Sequence, residues 1–309
     1  MAVFTPVTPA EASAFLKHYD LGGFRTLTPI AEGVENSNFR LETDSGHFVL
    51  TLFEGRTDAA SLPFCLGLTG HLARAGRPAA EPVADLRGGL TGVLNGRPAA
   101  VVRWVEGAWL RGPSPNEVAL AGAELAQLHL MAVDFPLRRA NPVGPAAAAA
   151  LAGRCRTRAE GEDAHRLDML EAEVARWADL PDDLPGGAIH ADYFPDNVLF
   201  DEGRVSGVID FYFACTGPWA YDLAIALAAW AFDAEGGLRA EAFAAFLTGY
   251  EAVRPLSPAE QARLPALGRA ATTRFTLTRL HDRLFHDPAA LVTPKDPMPF
   301  FRRLETWPA

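Results

Sequence analysis

Apolar and polar residues alternate along Asn38-Phe-Arg-Leu-Glu-Thr-Asp44 and again along His47-Phe-Val-Leu-Thr-Leu-Phe-Glu54, a period of two that predicts strands. Asp44-Ser45-Gly46 between them reads as a turn, so the pair is expected to form a hairpin. Leu62, Leu66 and Leu72 fall at helical spacing and predict a helix over 61–76, ending at Gly76. A second hairpin is expected around Asn95-Gly96, before the apolar run Ala-Ala-Val-Val-Arg-Trp-Val105. Beyond Glu106-Gly107 the period becomes helical. Ser114-Pro115-Asn116-Glu117 carries a serine cap and a first-turn proline ahead of Val118, Leu120, Leu125 and Leu128. Further helices are expected over 163–180, 221–234, 241–253 and 258–285, and a short one starting at Ala146–Ala150. The expected fold class is therefore α+β: a small sheet-rich N-terminal lobe, 1–106, and a larger, mainly helical C-terminal lobe, 107–309.

Composition narrows the class of function. The chain has 309 residues, 49% of them hydrophobic, enough for a packed core. Its longest apolar stretch, Leu223–Phe232, is too short to cross a bilayer and reads as a buried helix. A net charge of -10 disfavours attraction to nucleic acid or to anionic membranes. The first residues lack a basic segment and an apolar run, so a cytoplasmic small-molecule enzyme is expected. Cys65, Cys155 and Cys215 are odd in number and widely separated, which suggests neither a disulfide framework nor a zinc site. Lys17 and Lys295 are the only lysines.

The chemistry concentrates in 188–214. His190, Asp192 and Asn197 stand as H-x-D-x-x-x-x-N, followed by a strand-turn-strand pattern and Ile209-Asp210-Phe211. Phosphoryl transfer needs a carboxylate at the acceptor hydroxyl and oxygen ligands that hold magnesium against the triphosphate. Asp192 is the candidate catalytic residue, Asn197 and Asp210 the candidate metal ligands. A bland reading takes Asp192, Asp196 and Asn197 as turn residues around Pro195, and Asp210 after an apolar strand weighs against it. Upstream, Gly33, Asn36, Ser37 and Asn38 between two predicted strands would let backbone amides approach phosphates, although such residues also make ordinary turns.

This constellation resembles the catalytic loop and metal site of the protein-kinase-like fold, as used by aminoglycoside and choline phosphotransferases. The segments Glu32–Phe39, Phe48–Glu54, Leu62–Phe64, His190–Asn197 and Val292–Pro297 are similar to those of the bacterial homoserine kinases of the aminoglycoside-phosphotransferase-like type, over nearly the whole chain. The resemblance implies ATP and Mg2+ as cofactors and phosphorylation of the side-chain hydroxyl of L-homoserine, on the route to threonine. It also implies a nucleotide site at Gly33, Asn36, Ser37, Asn38 and Thr51, with Trp104 and Val105 in the segment where adenine meets the backbone. Thr51 stands where protein kinases have a lysine, and the following helix has no glutamate to pair with one. Arg56 or Arg103 is left as a candidate for the missing charge. His190 is expected to support the catalytic loop, and Asp222 to act structurally by capping the helix after it. Arg274, Arg279 and Asp282 are candidates for the acceptor, since homoserine presents a carboxylate and an ammonium. A surface ion pair between Arg279 and Asp282 is the competing reading. A phosphotransferase for another amino alcohol or sugar, and a catalytically silent ATP-binding protein, are the alternatives.

Overall fold

The computed structural model describes residues 5–30, 36–55, 58–181, 183–287 and 293–308. The chain divides into two compact units, one running to Gly107 and including Ser206–Tyr212, the other made of Ala108–Val205 and the residues from Phe213. The division read from sequence is linear, whereas 206–212 returns to the first unit, where Val208 N–H donates to Pro78 O at 2.6 Å and Ser206 Oγ to Glu106 O at 2.7 Å.

The first unit contains α1 (Pro9–Leu16), β1 (Phe24–Pro29), β2 (Ser37–Thr43), β3 (Gly46–Leu52), α2 (Leu62–Arg74), β4 (Gly92–Leu94) and β5 (Arg97–Arg103). The strands form an antiparallel sheet in the order β1-β2-β3-β5-β4. Both predicted hairpins are present. Asn95 and Gly96 turn with φ of 50° and 74°, the doubly left-handed geometry that suits a two-residue hairpin. The sheet buries Phe39, Leu41, Phe48, Leu50 and Val101 together with Phe15 and Leu16 of α1. A second cluster joins Leu62 and Leu66 of α2 to Phe53, Ala100 and Val102. Each such side chain taken fully from water contributes roughly 1.5–3 kcal/mol before the entropy cost. The helix α1, which no sequence reading anticipates, starts at a capping box in which Thr8 Oγ1 accepts from Glu11 N–H and Glu11 accepts from Thr8 N–H.

The second unit contains α3 (Pro115–Met131), α4 (Pro145–Arg156), α5 (Gly161–Ala178), β6 (Gly186–Ile189), β7 (Val198–Asp201), the start of β8 (Arg204–Val208), β9 (Cys215–Pro218), α6 (Trp219–Trp230), α7 (Ala240–Val253), α8 (Pro258–Leu284) and α9 (Met298–Thr306). β6 pairs antiparallel with β9, and β7 turns into β8 through Glu202-Gly203, with φ of 47° and 74°. α6 is buried at every position from Ala220 to Ala228, apolar throughout that stretch except at Tyr221 and Asp222. It is too short to span a membrane, and no described helix is long and apolar enough to do so.

α3 and α7 approach closely at glycines. A Cβ on Gly249 would stand 1.9 Å from Ala119 O, and one on Gly122 would stand 2.2 Å from Phe246 O. Gly249→Ala is therefore expected to destabilise the protein by about 1–3 kcal/mol, because the obstacle is backbone and cannot rotate away. A shift of the urea midpoint, with an unchanged slope, measures it.

Candidate active site

In the second unit, β6 delivers the chain into the 190–194 loop, where anchoring residues leave one carboxyl outward. His190, Ala191 and Tyr193 are buried, whereas Asp192 is half-buried. Tyr193 OH donates to Ala121 O at 3.0 Å, and Trp230 Nε1–H donates to Tyr193 O at 3.0 Å. His190 Nδ1 accepts from Asp192 N–H at 3.2 Å, a loop-holding bond. A turn through Pro195–Asn197 then brings Asn197 back, so that its Nδ2 donates to Asp192 O at 2.9 Å and faces Asp192 Oδ2 at 3.4 Å. With the amide nitrogen engaged there, Asn197 Oδ1 is the oxygen left for a hard cation.

Ala191 adopts a left-handed backbone, φ 62°, which costs an L-residue about 1–2 kcal/mol. Its neighbours hold it: the N–H donates to Asp222 Oδ1 at 2.7 Å, and the carbonyl accepts from Arg274 Nη1 at 2.5 Å. Asp222 Oδ2 accepts from His190 N–H at 2.8 Å and lies 3.0 Å from His129 Nε2. Burial pushes the Asp222 carboxyl up, but the His129 bond and the backbone N–H of His190 outweigh it and hold the group below the usual carboxylate range. His129 itself is driven down by burial, toward the neutral imidazole.

Asp222 therefore does not cap the helix. α6 begins three residues earlier at Trp219, with Pro218 as its cap; the carboxylate is turned instead onto the loop. Arg274 also departs from its expected role. It is 3% exposed, lies over the Phe275 ring at 4.5 Å, and its donation to Ala191 makes it a support of the loop. Arg279 is half-buried, with its guanidinium 4.3 Å over Phe300 and Nη1 donating to Asp296 O at 3.3 Å. Burial lowers its pKa, and the charges of Asp192, Asp296 and Asp196 oppose that shift, which places this cation within electrostatic reach of the loop carboxyl. Asp282 has other surroundings: His281 Nδ1 at 3.6 Å, and Cys155, whose thiol is pushed up to about 11 by burial with Asp282 adding to the shift. The Arg279–Asp282 surface pair, the competing reading from the sequence, is not among the ion pairs of the described residues.

Two groups in this unit escape the sequence reading. His129 lies on the apolar side of α3 beside Leu125, Ala126 and Leu128, a polar group in a buried stripe that signals a partner. Arg303 lies on α9, whose Phe300, Phe301 and Leu304 had the helical spacing that would have revealed it. Its guanidinium covers Phe300 at 3.9 Å and donates to Ala228 O at 2.6 Å, and burial together with Arg279 brings its pKa down to about 10.

In the first unit, Gly33 and Arg56 lie outside the described residues. Asn36 and Ser37 hold Glu54, a buried carboxylate that sequence reasoning passed over. Ser37 Oγ donates to Glu54 Oε1 at 2.7 Å, Asn36 Oδ1 accepts from Glu54 N–H at 3.2 Å, and Arg97 Nε meets Glu54 Oε2 at 3.2 Å. Asn38 pairs with Thr51 across β2 and β3, Thr51 Oγ1 donating to Asn38 Oδ1 at 2.8 Å. Trp104 N–H donates to His47 O at 3.1 Å, and Arg40 covers its ring at 5.0 Å. Val105 follows in irregular backbone. Arg103 is exposed and ion-paired with Glu81 at 3.2 Å. Asp210 is exposed with φ 63°, and Phe211 is buried after it. Tyr212 then packs edge-on against Phe53 at 5.0 Å, accepts from Cys65 Sγ at 3.6 Å and has the Thr51 hydroxyl beside its own, whose pKa burial raises. Thr51 thus lies between two uncharged partners, Asn38 and Tyr212.

Residues 26–256 match the phosphotransferase enzyme family. Solved structures with the same fold include an amicoumacin kinase in complex with AMP-PNP, Ca2+ and amicoumacin, at a TM-score of 0.69 and 16% identity over 95% of this chain and 92% of that one. A spectinomycin phosphotransferase in complex with ADP and spectinomycin matches at a TM-score of 0.68 and 14% identity, over 98% of this chain and 100% of that one. The fold is that of the protein-kinase-like small-molecule phosphotransferases. Among curated proteins, the homoserine kinase of Methylorubrum populi is 48% identical over 98% of this chain and 95% of its own length. That of Chelativorans sp. is 47% identical over 98% and 95%. The chain belongs to the phosphotransferase enzyme family, in its homoserine kinase branch.

Proposed function

We propose that the protein transfers the γ-phosphoryl group of ATP to the side-chain hydroxyl of L-homoserine, with Mg2+ as the cation, in the cytoplasm. The observation that carries this reading is the 190–197 loop, which anchors its neighbours and leaves the Asp192 carboxyl beside an asparagine whose amide oxygen is unclaimed by that contact. In this role Asp192 orients the acceptor hydroxyl and takes its proton.

Asn197 and Asp210 would hold the metal. Both offer hard oxygens, as magnesium requires, and the described residues contain no group of three His, Cys, Asp or Glu side chains that could hold an ion by themselves. Such a cation relies on few protein ligands and on the oxygens of the nucleotide, and it supplies neutralisation of phosphate charge. The nucleotide is assigned to the segment of Gly33, Asn36, Ser37 and Asn38, to Thr51, and to the backbone around Trp104 and Val105.

Arg279 is the described cation best suited to the carboxylate of homoserine, because it is sensitive to Asp192 and has no carboxylate within ion-pair distance among the described residues. Asp282 is assigned to the ammonium. Arg279→Ala is expected to raise the Michaelis constant for homoserine at least tenfold, the range of a lost charged hydrogen bond, and to leave that for ATP within about twofold. Initial rates with each substrate varied in turn check it. The reading as a whole is tested by magnesium-dependent ADP release with homoserine, threonine, choline and kanamycin. Preferred turnover of homoserine supports it; turnover of choline or kanamycin without homoserine would replace the acceptor.

A further inference from the structure

Behind the loop, a line of buried polar groups continues past His129 into parts of the second unit that no catalytic role has touched. His129 Nδ1 is 2.8 Å from Tyr250 OH on α7, and Tyr250 OH accepts from Arg254 Nη1 at 3.1 Å. Arg254 Nη2 donates to Glu260 Oε1 at 2.7 Å, and the other oxygen of Glu260 accepts from Ser257 N–H at 3.0 Å in the capping box of α8. Glu260 is 1% exposed. Arg254 also lies over the Trp219 ring at 4.6 Å, and Trp219 stacks on His129 at 6.1 Å.

Donor counting gives this line a direction. A guanidinium only donates, so the Tyr250 oxygen is the acceptor toward Arg254 and its single O–H is left for His129. His129 Nδ1 then accepts, and a neutral imidazole must carry its proton on Nε2, pointing at Asp222 Oδ2. Each donor from Arg254 onward points toward the carboxylate that receives the N–H groups of His190 and Ala191. The groups facing His129 are Asp222, Tyr250, Arg254 and Glu260, and burial raises the Tyr250 hydroxyl so that it stays a donor.

We propose that Tyr250, Arg254 and Glu260 form a positioning arm that fixes His129 as the Nε2–H tautomer and through it aims Asp222 at the loop carrying Asp192. The proposal rests on the phosphotransferase reading only in taking that loop as the reactive one. Such second-layer orientation matters because displacement of a reacting group by about 1 Å can cost roughly a hundredfold in rate. Tyr250→Phe removes the hydroxyl and keeps the ring. Its kcat for homoserine is expected to fall roughly tenfold to a hundredfold, with both Michaelis constants within about twofold, because the arm touches neither substrate.

The second readout starts from the wild-type protein. In full-length protein labelled with 15N-histidine, the His129 signals, assigned by their through-space contacts to the Trp219 ring, should show the Nε2–H tautomer. In Tyr250→Phe they should move toward a tautomer mixture. Wild-type His129 found as the Nδ1–H form or as the cation would overturn the arm, as would a folded Tyr250→Phe with parental kcat. If the wild-type protein does not turn over homoserine, the functional reading fails by itself, and the tautomer still decides the arm.

Discussion

Asp192→Asn is expected to fold and to bind ATP as the parent does, while turnover of homoserine falls by roughly two to four orders of magnitude, the span that loss of a general base explains. The substitution preserves volume and planarity, and the stronger of the two Asn197 contacts goes to the Asp192 backbone oxygen at 2.9 Å, so the loop keeps its closure. The neighbours that anchor the loop, Tyr193 through Ala121 and His190 through Asp192 N–H, are equally untouched. What disappears is the negative charge at the one loop carboxyl that is half-buried and close enough to Arg279 to perturb it. An amide can still accept a hydrogen bond from the acceptor hydroxyl, but it cannot take the proton. Single-turnover measurements with saturating ATP separate this from a binding defect. Turnover within a few-fold of the parent in a folded Asp192→Asn protein would move the proton acceptor elsewhere.

Much of the architecture was legible because local chemistry decided it. Ser114 and Glu117 close a capping box at the start of α3, and Asn95-Gly96 fixes a hairpin. The same code at Thr8 and Glu11 went unread because α1 is only 8 residues long and carries a short apolar stripe. β1 escaped too: at the sheet edge none of its residues is buried, so it shows no alternation. In the candidate site, Asp192 and Asn197 were visible because they sit five residues apart in one loop. The support of that loop was not, since His129 meets Asp222 and Tyr250 across sequence separations of 93 and 121. Arg274 shows the converse failure. Its charge invited a substrate role, whereas a contact 83 residues away makes it a support for a strained backbone.

That support is tested most severely at Asp222, where Asp222→Asn is expected to cost about 3–5 kcal/mol of stability, the range for breaking a buried charge network. The carboxylate is 0% exposed, receives the N–H groups of His190 and Ala191, and lies 3.0 Å from His129 Nε2, the third donor in the proposed tautomer. An asparagine of the same shape has one acceptor oxygen and one NH2. Placing the oxygen toward His190 and His129 sets the NH2 against Ala191 N–H, just where φ is 62°; the opposite flip sets it against the other two donors. Either way buried donors lose their partner, at about 1–3 kcal/mol each, and the peptide carrying Asp192 loses its clamp, so activity falls along with stability. The pH dependence adds a sign. The Asp222 pKa is depressed by folding, so its stabilisation is complete above the unfolded value of about 3.9 and is lost as pH falls through the lower folded value. His129 is depressed as well, so its contribution is complete above its unfolded value of about 6.5 and declines as pH falls below it. Urea midpoints from pH 7 to pH 3 should therefore fall for the parent, and the asparagine variant, already weakened at pH 7, should lack the part of the acid limb that belongs to Asp222. A variant with parental midpoints at every pH would mean that the loop is held by other bonds, with Arg274 to Ala191 the first to examine.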